Sequence, residues 1–117
     1  MQSKCDAEVR AIDGAAVIAL RGEVDGSAAA TLGAAYDEAV KAAQPSTVLL
    51  DFAAVDYINS TGIALIVSVL ARARAEERNV IASGLSDHYR QIFAITRLSD
   101  FIQLFDDVDA AAASVGG

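Results

Sequence analysis

Cysteine, histidine and long apolar runs are almost missing from this chain. Its 117 residues include one cysteine and one histidine. An intrachain disulfide needs two cysteines, so the single Cys5 cannot form one. A chain with so little cysteine is typical of a reducing compartment. A single histidine cannot build a metal site by itself.

The longest mostly apolar stretch is also too short to cross a membrane. It runs over the nine residues from Ile63 to Ala71, whereas a membrane-spanning helix needs about 20. The opening residues MQSKCD lack the apolar core of a signal peptide. We therefore expect a cytoplasmic protein.

Positive charge is scarce as well. Nine Lys and Arg residues face 16 Asp and Glu residues, which gives a formal charge of −7. A surface with this balance repels nucleic-acid phosphates and anionic lipid headgroups. Neither nucleic acid nor a membrane is an expected partner.

Apolar periodicity divides the chain into alternating strands and helices. Asp13-Gly14 between two apolar runs is the signal of a type I′ hairpin turn. The expected strands are 7–12, 15–20, 47–51, 80–82 and 102–105, and the expected helices are 27–43, 60–78 with Asn79 as C-cap, 86–96, and a short one from 106. The sequence therefore predicts one α/β domain over 1–117, with an ordered core at about 7–112 and a mixed sheet of four to five strands with about four helices.

A helix that begins near Ser60 carries the most informative local pattern. Four apolar residues after it lie at i, i+3, i+4 and i+7, which is one helical face: Ile63, Ile66, Val67 and Leu70. The first turn of a helix has unpaired N–H groups and the positive end of the dipole, so it favours an anion. A hydroxyl in this turn could carry a phosphoryl group.

A purely structural interpretation of the same residues is also available. Asn59 or Ser60 could cap the helix, a role worth about 1 kcal/mol. Gly62 is not needed for capping, and glycine in a helix costs about 0.5–1 kcal/mol relative to alanine. One interpretation is that the missing side chain lets a partner's backbone or a phosphate come close.

Residues 51–65, DFAAVDYINSTGIAL, resemble the signature of STAS domains, in particular the bacterial anti-sigma factor antagonists. That pattern is a strand ending in Asp, a short hydrophobic loop, and Asp-Ser-Ser/Thr-Gly-Leu-Gly-Leu opening a helix. Gly22-Glu23-Val24-Asp25 and the segments 83–85 and 92–98 also resemble the family. Asn59 replaces the usual Asp, and Ala64 replaces the second Gly.

The resemblance implies an antagonist that is switched by phosphorylation. Its unphosphorylated form would bind an anti-sigma factor that is also a serine kinase of the GHKL ATPase type, and a PP2C-type phosphatase would reverse the modification. Ser60 would be the acceptor, with Thr61 as the second candidate. The implied partner-binding residues are Asp25, Gly26, Ser27, Asn59, Ser60, Thr61, Gly62 and Ile63. No cofactor is expected, because ATP and magnesium belong to the kinase.

Two alternatives stay open from the sequence. Stand-alone STAS proteins also serve as architectural subunits of lipid-transport ATPases or stress-signalling assemblies, without a working phosphoacceptor. The second alternative is a small hydrolase that uses Ser60 as its nucleophile. Such an enzyme needs a base, and His88 is the single histidine that could serve as one. Residues 58–62 do not match the G-x-S-x-G elbow of such enzymes. Because no Walker A or G-x-G-x-x-G loop is present either, we do not expect an enzyme. The charged residues 72–78 are expected to form a solvated helix end.

Overall fold

A five-stranded mixed sheet with helices on both faces forms the molecule, in a computed structural model that describes residues 4–12 and 14–116. The strands are β1 (Cys5–Ile12), β2 (Ala15–Val24), β3 (Thr47–Ile58), β4 (Asn79–Ser83) and β5 (Gln103–Phe105). The helices are α1 (Ala29–Ala43), α2 (Ser60–Ala75), α3 (Asp87–Ile95) and α4 (Val108–Gly116), with 3₁₀ turns at Gly26–Ala28 and Leu98–Asp100. The predicted α/β class and mixed sheet are confirmed.

The strands lie in the order in which they occur along the chain. β1 and β2 form an antiparallel hairpin, and β2 to β5 run parallel. Each parallel connection moves to the next strand in the same direction, and right-handed crossovers then place their helices on one face. The main core accordingly joins α1, α2 and α3 to that face, whereas Val17, Leu49 and Ile81 pack with Ala111 of α4 on the other.

The structure corrects two boundaries. Residues 52–58, expected as a loop, extend β3, because they pair with β2 as far as Val24 and Ile58, through two register shifts. Asn79 is not the C-cap of α2, which ends at Ala75 with Glu76 as C-cap. Glu77 takes a left-handed conformation and Asn79 donates to the carbonyl of Ser46, so the chain already enters β4 there. Of the predicted hairpin turn, Gly14 has the positive φ expected, while Asp13 lies outside the described residues.

Gly62 holds α2 close to the end of β2. A Cβ atom on Gly62 would lie 1.9 Å from the carbonyl oxygen of Val24 and 3.2 Å from Cγ2 of Ile58. The backbone that comes close to Gly62 is therefore the chain's own, and the interpretation that glycine makes room here for a partner is wrong. Gly62 is buried and acts in packing.

Two helical glycines offer a matched test of this packing. We expect Gly62→Ala to lower the free energy of unfolding by about 1–3 kcal/mol or more, as for an overpacked core. Gly33→Ala should raise it by up to about 1 kcal/mol, because Ala is the better helix former and a Cβ at position 33 of α1 meets nothing within 4 Å. Urea unfolding of both variants measures the difference, and equal effects would contradict the role given to Gly62.

Candidate functional site

Two loops meet at the edge of the sheet where β2 and β3 end. One joins β2 to α1 and contains Asp25, Gly26 and Ser27; the other leads from β3 into α2. Because β2 and β3 are parallel neighbours, their carboxyl ends lie side by side. A Cβ on Gly26 would lie 3.3 Å from Cγ2 of Thr61. The fold thus brings together the two groups of residues proposed from the sequence.

Asn59 caps α2. Its backbone is extended, and its side-chain Oδ1 accepts the N–H of Gly62 at 2.8 Å. Its own N–H donates to the carbonyl of Val24 at 3.2 Å, and its carbonyl accepts the N–H of Ile63 at 2.9 Å. Of the two capping residues that the sequence allowed, the structure selects Asn59, and Ser60 becomes the first residue of the helix.

Ser60 and Thr61 present exposed hydroxyl groups in the first turn of α2. Within the described part of the chain neither hydroxyl forms a hydrogen bond. Ile63, one turn further on, is half-buried and packs against the main core. The hydroxyl of Ser60 is therefore sterically free at a helix N-terminus, where the dipole favours an anion.

Asp25 organises the neighbouring loop. Its Oδ1 accepts the Ser27 N–H at 2.9 Å and the Ser27 hydroxyl, and it caps the 3₁₀ turn before α1. The side chain that caps this turn is therefore that of Asp25, and Ser27 is its hydrogen-bond donor. The hydrogen bonds from Ser27, first that of its hydroxyl and then that of its N–H, lower the pKa of Asp25, and Lys4 adds a smaller attraction. Asp25 is thus a fixed negative charge at neutral pH.

Lys4 is the residue of this site that the sequence did not suggest. Its Nζ lies 3.6 Å from Oδ2 of Asp25 and 3.6 Å from Oε2 of Glu23. The contact depends on the pairing of β1 with β2, since the Glu23 N–H also donates to the carbonyl of Lys4 at 3.0 Å. No local motif around Lys4 could have indicated it.

Among the described residues no side chain that could act as a base forms a hydrogen bond with the Ser60 hydroxyl. His88 lies in the first turn of α3 with its ring against Tyr89, and no hydrogen bond joins it to Ser60 in the described ranges. In the part of the chain that the structure describes, no three His, Cys, Asp or Glu side chains lie together in a way that could hold a metal ion. The exposed hydroxyl suits the acceptor of a group delivered by another protein's active site.

None of the helices in the described ranges is long and apolar enough to cross a membrane.

Comparison with known proteins identifies relatives that are named for one kind of regulator. A Bordetella bronchiseptica protein described as a candidate anti-sigma factor antagonist, BtrV, is 30% identical over 107 residues, 88% of either chain. An anti-sigma-B factor antagonist of Listeria monocytogenes is 34% identical over 55 residues, so the match spans about half of each protein, 47% of this chain and 48% of that one.

Solved structures show the same fold. The anti-sigma factor antagonist SpoIIAA of Bacillus superposes in its unphosphorylated form with a TM-score of 0.70 at 19% identity, over 92% of this chain and 94% of that one. Its phosphorylated form superposes with a TM-score of 0.69, also at 19% identity, over 92% and 98% of the two chains. The model of the STAS domain family matches residues 6–111. The chain therefore belongs to the STAS domain family.

Proposed function

We propose that this protein is an anti-sigma factor antagonist whose binding is switched by phosphorylation of Ser60. The unphosphorylated form binds an anti-sigma factor that is also a serine kinase of the GHKL ATPase type, and the sigma factor is released. Phosphorylation by that kinase ends the interaction, and a PP2C-type phosphatase restores it. The names of the relatives and the phosphorylated form of SpoIIAA support this class of function.

The observation that carries the proposal is the separation of roles between Asn59 and Ser60. Asn59 caps α2, so the hydroxyl of Ser60 is not needed for folding. It stands exposed on the first turn, where a kinase active site could reach it without unfolding the helix. A phosphate on it would also be favoured by the helix dipole.

The proposed docking surface combines both loops of the site. Ser60, Thr61 and Ser27 are exposed, and Asp25 is half-buried beside them. Asn59 and Gly62 support this surface from below, by capping and by packing, and Ile63 contributes a half-buried apolar side chain. Small polar groups around one apolar residue suit an interface that forms and dissociates.

A phosphate would act on this surface mainly through charge and bulk. It adds about −1.5 to −2 charges next to a loop that already holds the ionised Asp25. On the free protein this charge remains in water, whereas at an interface it must lose water. Couplings of this kind are typically 5–150-fold in affinity, which is enough to release a partner.

Replacing the proposed acceptor tests the switch directly. We expect Ser60→Ala to keep the fold with a change in unfolding free energy well below the roughly 1 kcal/mol value of a cap, because Asn59 holds that role. The variant should bind the anti-sigma factor like the wild type but should not be released when ATP is added. Thr61→Ala is the matched control and should still be released. Surface plasmon resonance with and without ATP gives both readouts.

Loss of binding by a folded Ser60→Ala protein would show that the hydroxyl itself is part of the docking contact. Release of Ser60→Ala by ATP at the wild-type rate would remove Ser60 from the switch.

Mass spectrometry can identify the modified hydroxyl. After incubation with the kinase and ATP, we expect one phosphate on the peptide that contains both Ser60 and Thr61, with fragment ions assigning it to Ser60. Both side chains are exposed, so the assignment depends on the geometry of the kinase complex. Phosphate confined to Thr61 would move the site by one residue, and an unmodified protein would favour the architectural alternative.

The substitution Asn59→Asp tests whether residue 59 has a role in phosphorylation besides capping α2. Asp caps as well as Asn and suits the dipole, so the free energy of unfolding should change little. If a carboxylate helps to position the hydroxyl in the kinase, the phosphorylation rate should rise while the modified residue stays the same. Asn59→Ala is the control, which should lose about 1 kcal/mol of stability through the missing cap. A slower Asn59→Asp protein would contradict the positioning role.

A further inference from the structure

A groove lies at the end of the molecule away from Ser60. It runs between the second half of α2 and the turn that follows α3, and it encloses about 670 Å³. Leu70, Val80 and Leu98 form its apolar floor, and Val67 and Phe101 stand at its lips. Because a helix rises 1.5 Å per residue, Arg74 in the groove is roughly 20 Å from Ser60 along α2. The groove is therefore separate from the proposed docking surface.

The lips of the groove are unusually apolar for a surface. Val67 is 43% exposed and Phe101 is 62% exposed. The volume falls within the range of roughly 300–1,000 Å³ that is usual for sites of small molecules. A concave apolar floor with exposed apolar lips suits the body of a small ligand.

The charge of the groove is opposite to that of the protein. The chain carries −7, yet the groove is lined by Arg74, Arg78 and Arg97 against one acid, Asp100. The net charge of the protein therefore repels an anion, whereas the arginines of the groove attract it. The groove is thus a selective position for an anion on this surface.

The three arginines differ in how they are engaged. Arg97 Nε pairs with Asp100 at 2.9 Å, and Arg78 is held by Glu76 at 3.1 Å and by the carbonyl of Pro45. Arg74 has no carboxylate within 4.0 Å among the described residues, and its guanidinium lies 6.0 Å from the centre of the Phe101 ring. A cation placed at an apolar lip without a carboxylate suits the headgroup of an anion.

We infer that this groove binds a small amphiphilic anion, with its apolar body on Leu70, Leu98 and Phe101 and its carboxylate or phosphate on Arg74. Arg74 donates charge-assisted hydrogen bonds to the head, and the ring of Phe101 covers the first part of the body. The inference does not depend on Ser60 or on a sigma-factor pathway.

Decanoate, kept below its micelle concentration, is a suitable probe for a titration followed by amide NMR. We expect saturable shifts confined to α2 from Val67 to Arg74 and to residues 96–101. Arg74→Gln should weaken binding by about 10-fold or more, since charge-assisted contacts are the strong ones. Arg10→Gln is the matched control, because Arg10 is an exposed arginine of β1 for which the described residues likewise provide no ion pair; it should leave the affinity unchanged.

Two further measurements test the role of the Phe101 ring and the sign of the charge on the ligand. Phe101→Ala removes an exposed ring, so the fold should be kept and the affinity reduced. Decyltrimethylammonium has an alkyl tail of nearly the same length with a positive head and should not shift the groove residues. Equal binding of both amphiphiles, equal effects of Arg74→Gln and Arg10→Gln, or no saturable shift with decanoate would each overturn the proposal.

Other occupants would give different results in the same experiment. If the groove signals move on dilution without any ligand, a second copy of the chain covers it, and the small-anion assignment is wrong. If decanoate fails but an acidic amphipathic peptide binds with the same dependence on Arg74, the groove is a protein-docking surface, and the assignment is likewise wrong.

Discussion

The contact between the Val24 carbonyl and the first turn of α2 is the constraint on which the site depends. That oxygen accepts the Asn59 N–H, and its position leaves no space for a Cβ on Gly62. The end of β2 and the start of α2 are thus fixed to each other. Since Asp25 follows Val24 directly, the same contact places the loop of Asp25 beside Thr61 and sets the direction in which Ser60 faces solvent.

This constraint explains how neighbouring residues can have different roles in the proposed switch. The side-chain amide of Asn59 accepts the N–H of Gly62 in the first turn, whereas the hydroxyl of Ser60 is exposed and forms no hydrogen bond among the described residues. A phosphate on Ser60 would therefore leave the cap and the packing of Gly62 in place. The proposed switch acts through the charge of a surface and requires no refolding of α2.

The features that could be predicted from the sequence are those that local periodicity and capping determine. The features that were missed depend on contacts with residues distant in the chain. The start of α2, the hairpin and the parallel sheet follow from apolar spacing and turn residues. The extension of β3 to Ile58 was missed because it arises from bulged pairing with β2. Lys4 reaches Asp25 only through the pairing of β1. The expected solvated end of α2 proved more structured, with Arg72 over the ring of Tyr36 and the Tyr36 hydroxyl bonded to Glu76 at 3.0 Å.

The contacts at both ends of α2 also determine whether Ser60 and Arg74 can be coupled through this helix. A charge on Ser60 and an anion on Arg74 would lie roughly 20 Å apart, well beyond the screening length of about 8 Å at physiological salt. Coupling between them would need a movement of the helix. Gly62 fixes its start, and Tyr36 with Glu76 fixes its end, so α2 has little freedom to shift. We therefore expect the proposed anion groove and the proposed switch to act independently, so that occupation of one leaves the affinity at the other unchanged.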